Sequence, residues 1–275
     1  MLDQITPLIL TYNEAPNIGR TLGALAWARE IVVVDSFSDD GTLEIASSFP
    51  QVRIFQRAFD SHRNQWEFGL RETGIKTEWV LALDADYVVT SNAVAELKGL
   101  APDAEVSGYR AKFTYCVNGK PLHSGIYPSV TVLYRREAAS YVQDGHTQRV
   151  VVNGRVEELC SPLLHDDRKS LRRWLSSQVR YAELECKKLL TANAATMKTR
   201  DRLRLSLVIA PPATFFYCLF VRGGVLDGWP GFYYAFQRTL AELMVSLYLL
   251  DARCTFSEST PITAMLQQQS SKTAD

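Results

Sequence analysis

Three short unbroken apolar runs, residues 7–10, 31–34 and 79–83, dominate the N-terminal third of the chain. Continuous rather than alternating hydrophobicity suits strands buried on both faces of a parallel sheet. Each run stops at a polar cluster: Thr11-Tyr12-Asn13-Glu14, then Asp35-Ser36, then Asp84-Ala85-Asp86. Between the first two, Pro16 suits a first helical turn, and Ile18, Leu22, Leu25 and Ala26 give it an apolar face. Residues 38–42 (SDDGT) read as a turn, 42–48 as a short helix, 52–55 as a fourth strand and 60–74 as another helix. The order βαβα predicts an α/β open sheet, whose ligands bind beyond the carboxyl ends of the strands. All three polar clusters fall at those ends.

The middle of the chain, 107–164, mixes β-prone runs (109–117, 130–134, 149–152) with Gly and Pro turns, and is expected to extend the sheet with antiparallel strands. From Ser170 the spacing of Leu171, Trp174, Leu175, Gln178, Tyr181, Ala182 and Leu189 is helical. Residues 205–221 carry no charge, and 232–250 carry only Arg238 and Glu242. The first stretch is slightly short for a membrane span and holds Pro211-Pro212 in its middle. With Arg200, Arg202, Arg204 and Arg222 flanking it, it reads as a re-entrant or interfacial segment, with Trp229, Tyr233 and Tyr234 at headgroup level. Residues 257–275 are polar and expected to be disordered. The domain reading is therefore a donor-binding half at 1–106, an acceptor-side catalytic half of the same domain at 107–169, a helical membrane-associating region at 170–256 and a polar tail at 257–275.

Composition narrows the classes. The 275 residues are 47% hydrophobic and 22% charged, which is globular, and thirty basic residues balance thirty acidic ones. A zero balance argues against a dedicated nucleic-acid binder. Five scattered cysteines without a CxxC pair suggest neither a zinc site nor a disulfide framework and fit a reducing compartment. The first residues lack the pattern of a signal peptide. No GxGxxG follows the first strand and no GxxxxGK[ST] occurs, which disfavours a dinucleotide fold and a P-loop.

The chemistry sits at the strand ends. Asp84 and Asp86, two apart after a strand, place two carboxylates on one face, a hard-oxygen site for Mg²⁺ or Mn²⁺ that borrows further ligands from substrate phosphates. His165, in the cluster His165-Asp166-Asp167-Arg168-Lys169, is a candidate to complete that metal site, while Arg168 and Lys169 suit a leaving diphosphate. Asp166 and Asp167 equally suit the first turn of a helix.

Residues 8–14 (LILTYNE), 33–42 (VVDSFSDDGT) and 81–86 (LALDAD) resemble, in order and spacing, the opening blocks of the family 2 glycosyltransferases of the GT-A fold. The resemblance is strong over about residues 5–90 and recognisable to about 175, and it is nearest to lipopolysaccharide-core and related cell-envelope enzymes. It implies a GT-A-type open, mostly parallel sheet, a divalent metal and inverting transfer of a sugar from a nucleotide diphosphate, UDP by expectation. Carried over, it implies that Thr11, Tyr12 and Glu14 contact the nucleotide, Asp35 reads the base, Asp84 lies near the ribose and Asp86 binds the metal. Arg63, in His62-Arg63-Asn64, lies over the nucleotide. Many relatives place an acidic residue or a His-Glu pair in the block aligned with 143–148 (QDGHTQ), where this chain has His146-Thr147. The departure moves the expected catalytic base to Asp144, with His146 second. A lipid-linked or lipopolysaccharide-type glycan acceptor and a peripheral or monotopic place on the cytoplasmic side of the inner membrane complete the expectation. A nucleotidyltransferase and a non-catalytic membrane-bound sugar-nucleotide scaffold stand as alternatives. The missing lysine-bearing glycine loop speaks against the first, and the Asp84/Asp86 pair against the second.

Overall fold

A computed structural model describes residues 1–144, 147–193 and 197–259, without the side chains of 143–148 and 256–259. The unbroken apolar runs are strands covered on both faces. β1 (Ile5–Thr11), β2 (Ile31–Asp35), β3 (Val52–Gln56) and β4 (Trp79–Asp84) lie parallel in the order β3-β2-β1-β4. Successive side chains point to opposite faces. Ile31 and Val33 therefore pack in one layer with Ile18, Leu22 and Leu97, and Val32 and Val34 in the other with Trp66 and Leu70. Each such fully buried aliphatic side chain contributes about 1.5–3 kcal/mol. The crossovers run through α1 (Ile18–Gly23), α2 (Thr42–Ser47) and α3 (His62–Arg71), the last capped by the Ser61 hydroxyl, which accepts from the Asn64 amide.

After the short β5 (Tyr87–Val88), α4 (Ser91–Gly99) leads to β6 (Val106–Ala111), β7 (Phe113–Val117), β8 (Lys120–Pro121) and β9 (Val130–Arg135). The run read as one strand over 109–117 divides at Lys112: β6 joins the main sheet, whereas β7 joins a second sheet of order β5-β13-β7-β8 with β13 (Leu163–His165). β10 (Ala139–Asp144) and β11 (Thr147–Val152) form a hairpin, and β12 (Arg155–Glu158) closes the main sheet, ordered β12-β6-β9-β4-β1-β2-β3. Only β9 runs antiparallel within it; β6 and β12 run parallel to β4, so the middle segment extends the sheet in mixed rather than antiparallel fashion. The register sets Thr11 beside Asp35 and Leu10 beside Asp84, which brings the strand-end clusters to one edge.

The C-terminal region is helical: α5 (Leu171–Thr191), α6 (Thr199–Leu205), α7 (Ala210–Phe216) and α8 (Trp229–Ser259). Three expectations change here. Pro211 and Pro212 begin α7 rather than break it, because a first-turn proline forfeits no helical hydrogen bond; the chain turns earlier, at Leu207, with φ of 66°. Arg204 is not available to lipid. It is buried, donating to Glu242 at 2.6 and 2.8 Å and to Glu185 at 2.9 Å, and so ties α6 to α8 and α5. Residues 257–259 continue α8, and 260–275 lie outside the described residues. No helix among the described residues is long and apolar enough to cross a membrane.

Between α7 and α8 a π-helical turn (Tyr217–Val221) and a 3₁₀ turn (Gly224–Asp227) form a tip. A Cβ on Gly231 would lie 2.0 Å from the Gly224 carbonyl oxygen, so only glycine lets α8 start against this turn. Asp227 joins the tip to the loop after β8: its carboxylate accepts from the His123 and Ser124 amides at 3.0 Å each and meets His123 Nδ1 at 2.8 Å. Burial opposes the charged form, but these donors outweigh it and hold the carboxyl down at about 2. A depressed carboxyl stabilises above its unfolded value and loses that contribution as pH falls through the folded one. Asp227→Asn is therefore expected to lower the thermal midpoint at neutral pH, with the gap to wild type closing as pH drops from about 4 toward about 2. A pH-independent gap in calorimetric melts contradicts this assignment.

Candidate active site

The loops after β1 and β2 are bound into one surface at the sheet's carboxyl edge. Thr11 Oγ1 donates to Asp35 Oδ1 at 2.8 Å, and the Ser38 amide donates to Asp35 Oδ2 at 2.8 Å. The Asn13 amide donates to Ser38 Oγ at 2.7 Å, the Asp39 amide to Asn13 Oδ1 at 2.8 Å and the Glu14 amide to Thr42 Oγ1 at 2.7 Å. Asn13 and Phe37 adopt positive φ (57° and 61°) within this lattice. Asparagine tolerates that region; a bulky phenylalanine does not without support, and such strain clusters at functional sites. Its outcome is an aromatic rim, with Tyr12 and Phe37 exposed by 55% and 56%. Arg173 at the start of α5 fixes the Tyr12 carbonyl at 2.7 Å.

Below the rim lies a charged cluster. β13 places His165 Nε2 3.3 Å from Asp86 Oδ2. Lys169 Nζ lies 2.8 Å from Glu14 Oε1, 3.5 Å from Asp167 and 4.0 Å from Asp86 Oδ2. Burial pushes the Asp84 carboxyl up, and the neighbouring charge of Asp86 adds to it. Burial works against the charge on Asp86 too, but His165 and then Lys169 outweigh it and hold that carboxyl well below the usual range. Glu14 is raised by burial against the pull of Lys169. His165 and Lys169 lose to burial and regain more from Asp86, so both are held protonated more firmly than in water.

Four carboxyl groups (Glu14, Asp84, Asp86, Asp167) thus share three cations: His165, Lys169 and, at longer range, Arg20. Asp86 Oδ1 and His165 Nδ1 are buried without a hydrogen-bond partner. A buried carboxylate oxygen without a partner is costly, and a divalent cation on Asp86 would satisfy it. Among the described residues no group of three or more His, Cys, Asp or Glu is arranged to hold a metal. Asp86, with His165 beside it, therefore fits an ion whose remaining ligands are water and substrate phosphate oxygens, the habit of Mg²⁺ and Mn²⁺.

The fold brings together Thr11, Tyr12, Glu14, Asp35, Asp84, Asp86, His165 and Lys169, with three qualifications of role. Asp35 is fully buried and its oxygens are taken up by Thr11 and Ser38, so it positions the loops instead of offering a free edge to a base. Arg168 pairs with Asp166 at 2.8 Å and packs beside Gly119, with its side chain 42% exposed. Arg63 is exposed on the first turn of α3, whose buried Gln65 reaches Ser36 Oγ at 2.8 Å after β2. The Asp144 backbone ends β10, while its side chain and all of His146 lie outside the described residues.

The residue that sequence reasoning missed is Asn17. Fully buried, it donates to Glu14 Oε2 at 2.8 Å and to Asp167 Oδ1 at 2.9 Å, and accepts from the Arg168 amide at 2.9 Å. It clamps the β13–α5 segment to the β1 loop across 150 residues of sequence, and the only hint was a polar residue at the head of an apolar helical face. Also unforeseen were Tyr87, Tyr115 and Tyr127, whose rings surround His165 at centroid distances of 5.3, 4.9 and 4.4 Å.

Known proteins share the fold and part of the sequence. An uncharacterized glycosyltransferase of Rickettsia bellii is 28% identical over 144 residues, covering 50% of this chain and 48% of the relative, so the matched part spans about half of that protein's length. One from Rickettsia felis is 24% identical over 267 residues, covering 90% and 91%. Among solved structures, a mannosyltransferase of Pyrobaculum calidifontis in complex with GDP-Man and Mn²⁺ shares the fold, with a TM-score of 0.54 at 17% identity, covering 90% of this chain and 87% of that one. The family model "Glycosyl transferase family 2" matches residues 8–147, from the middle of β1 to the β10–β11 hairpin, and the chain belongs to that family.

Proposed function

We propose that this chain transfers a sugar from a nucleoside diphosphate donor, UDP-linked by preference, to a hydroxyl of a lipid-linked or lipopolysaccharide-type envelope glycan, with inversion at the anomeric carbon. The acceptor, and with it a place at the cytoplasmic face of the inner membrane, rests on the resemblance of the sequence blocks. The observation that carries the donor reading is the partnerless Asp86 Oδ1 in a buried carboxylate-rich cluster beyond the carboxyl ends of the neighbouring strands β1 and β4.

Tyr12 and Phe37 offer the base two exposed rings, and the lattice around Asp35 fixes the loops that carry them. Asp86, and His165 once its proton is released, would hold a divalent ion, which would neutralise charge on the departing diphosphate. Lys169, held protonated by Asp86 and Glu14, adds a fixed positive charge at the same place. Asp144, or His146 after it, takes the proton of the attacking hydroxyl. The hydroxyl attacks from the face opposite the diphosphate, through an oxocarbenium-like transition state by analogy with glycoside hydrolysis, so one displacement inverts the centre. A product of retained configuration contradicts that mechanism.

Calorimetric titration with UDP, GDP, CDP and dTDP, with and without Mn²⁺, tests the donor site. One nucleotide, UDP by this reading, is expected to bind in a Mn²⁺-dependent manner, and Asp86→Ala to weaken it by at least about tenfold. Folded protein that binds none of the four overturns the reading.

A further inference from the structure

A helix that is apolar all round belongs in a protein interior or in lipid, and α8 is covered on one side only. Tyr234, Ala235, Val245 and Leu249 are buried against the rest of the chain. Between 232 and 250, every exposed residue of α8 is large and apolar: Tyr233, Phe236, Leu240, Leu243, Leu247 and Leu250. They recur at alternating spacings of three and four, a single ridge along the helix. The ridge continues off α8. Phe236 packs on Phe215 of α7 at 5.3 Å, Phe216 stacks near Phe220 at 6.0 Å, and the tip exposes Val221, Leu226 and Trp229 by 73%, 88% and 86%.

We infer that this surface, the α8 ridge with the α7–α8 tip, lies in the plane of an anionic lipid bilayer as a monotopic docking face. Charge selects the occupant. The chain is neutral as a whole, yet residues 170–256 hold twelve Arg and Lys against six Asp and Glu. Of those six acids, Glu185, Glu242 and Asp227 are buried in contacts within the fold. Arg204 is buried with two of them, which leaves eleven basic residues against three acidic ones; of these Arg222 in the tip and Arg253 beyond Leu250 are exposed at the two ends of the ridge, and basic residues around an apolar face attract anionic headgroups. A second copy of α8 suits the surface less well. A helix seam places opposite charges beside its apolar positions, whereas Gln237, Arg238, Thr239, Ala241, Met244 and Tyr248 flank this ridge with one charge among them. Nor does the polar tail match it, since Ile262, Met265 and Leu266 are the only large apolar residues in 260–275. The inference rests on the C-terminal helices alone and does not depend on the donor-site reading.

Co-sedimentation of the full chain with vesicles tests it, using equal parts phosphatidylcholine and phosphatidylglycerol, or phosphatidylcholine alone. Wild type is expected to pellet with the mixed vesicles, and about tenfold less with the neutral ones or at high salt. Phe236→Glu/Leu240→Glu/Leu247→Glu is expected to lower partitioning by at least about tenfold with an unchanged melting midpoint. The milder Leu240→Ser/Leu247→Ser pair gives the same reading if the triple variant does not fold. Vesicle binding that the ridge variants leave intact overturns the inference. So does failure of wild type to bind either vesicle, whether it sediments as a monomer or as a dimer that the ridge variants dissociate; in the latter case the ridge is a seam between copies.

Discussion

Asp86→Asn is expected to cut sugar transfer by about 10³-fold, corresponding to roughly 4 kcal/mol of transition-state stabilisation, while leaving the fold intact. The substitution keeps the side chain's shape and removes its charge. That charge is the one to which His165 and Lys169 are oriented, and its Oδ1 is the partnerless atom of the site. Some stability at neutral pH should be lost with the charge that His165 and Lys169 hold, and relief of its repulsion of Asp84 two residues away offsets part of that loss. The neighbouring carboxyl supplies the control. Asp84 is pushed up by burial and by Asp86 and is the less ready of the two to carry charge. Asp84→Asn is therefore expected to cost only about tenfold. Initial rates with labelled donor, beside melting curves for each variant, make the comparison. If Asp86→Asn retains activity within tenfold of wild type, or the two variants fall equally, the asymmetry drawn from their surroundings is wrong and the charge that matters lies elsewhere.

The contrast between Asp84/Asp86 and Asn17 shows what the sequence could carry. A strand buried on both faces has a local signature, and a carboxylate directly after it sits at the sheet's edge whatever the rest of the chain does. β1, β2 and β4 and the clusters behind them were legible for that reason. Asn17 acts through partners about 150 residues away, and no local pattern encodes such a pairing. Arg168 is a different case: its charge suggests a phosphate, and in the fold it meets a neighbouring aspartate of the same run. For Asp35 a motif gives position, while burial and the hydrogen-bond lattice decide which way the oxygens face. The C-terminal helices were visible from spacing. The direction of each face was not, because α8 is apolar on both sides and periodicity cannot tell the covered one from the bare one.

Arg204→Met is expected to destabilise the protein by about 3–5 kcal/mol, the largest stability effect of any substitution considered. Read from sequence, Arg204 is one of several arginines beside an apolar stretch; in the fold it is the only cation that reaches both Glu185 and Glu242 within 3.0 Å among the described residues. Those glutamates are 4% and 6% exposed, so removing the guanidinium takes their shared short-range cation away in a site that water does not reach, with Lys188 at 3.9 Å beside Glu185. The cost is that of the poorly compensated charge, and it follows that the loss should shrink in acid. The same logic predicts a rescue. Replacing a whole buried ion triad by apolar side chains of similar volume is often neutral or better, so Arg204→Met/Glu185→Leu/Glu242→Met is expected to recover most of the stability that the single substitution removes. Urea unfolding of the three proteins at neutral and acidic pH decides the point. A loss under about 1 kcal/mol for the single variant, equal at both pH values, would mean that solvent screens the triad and that α5, α6 and α8 are held by packing alone.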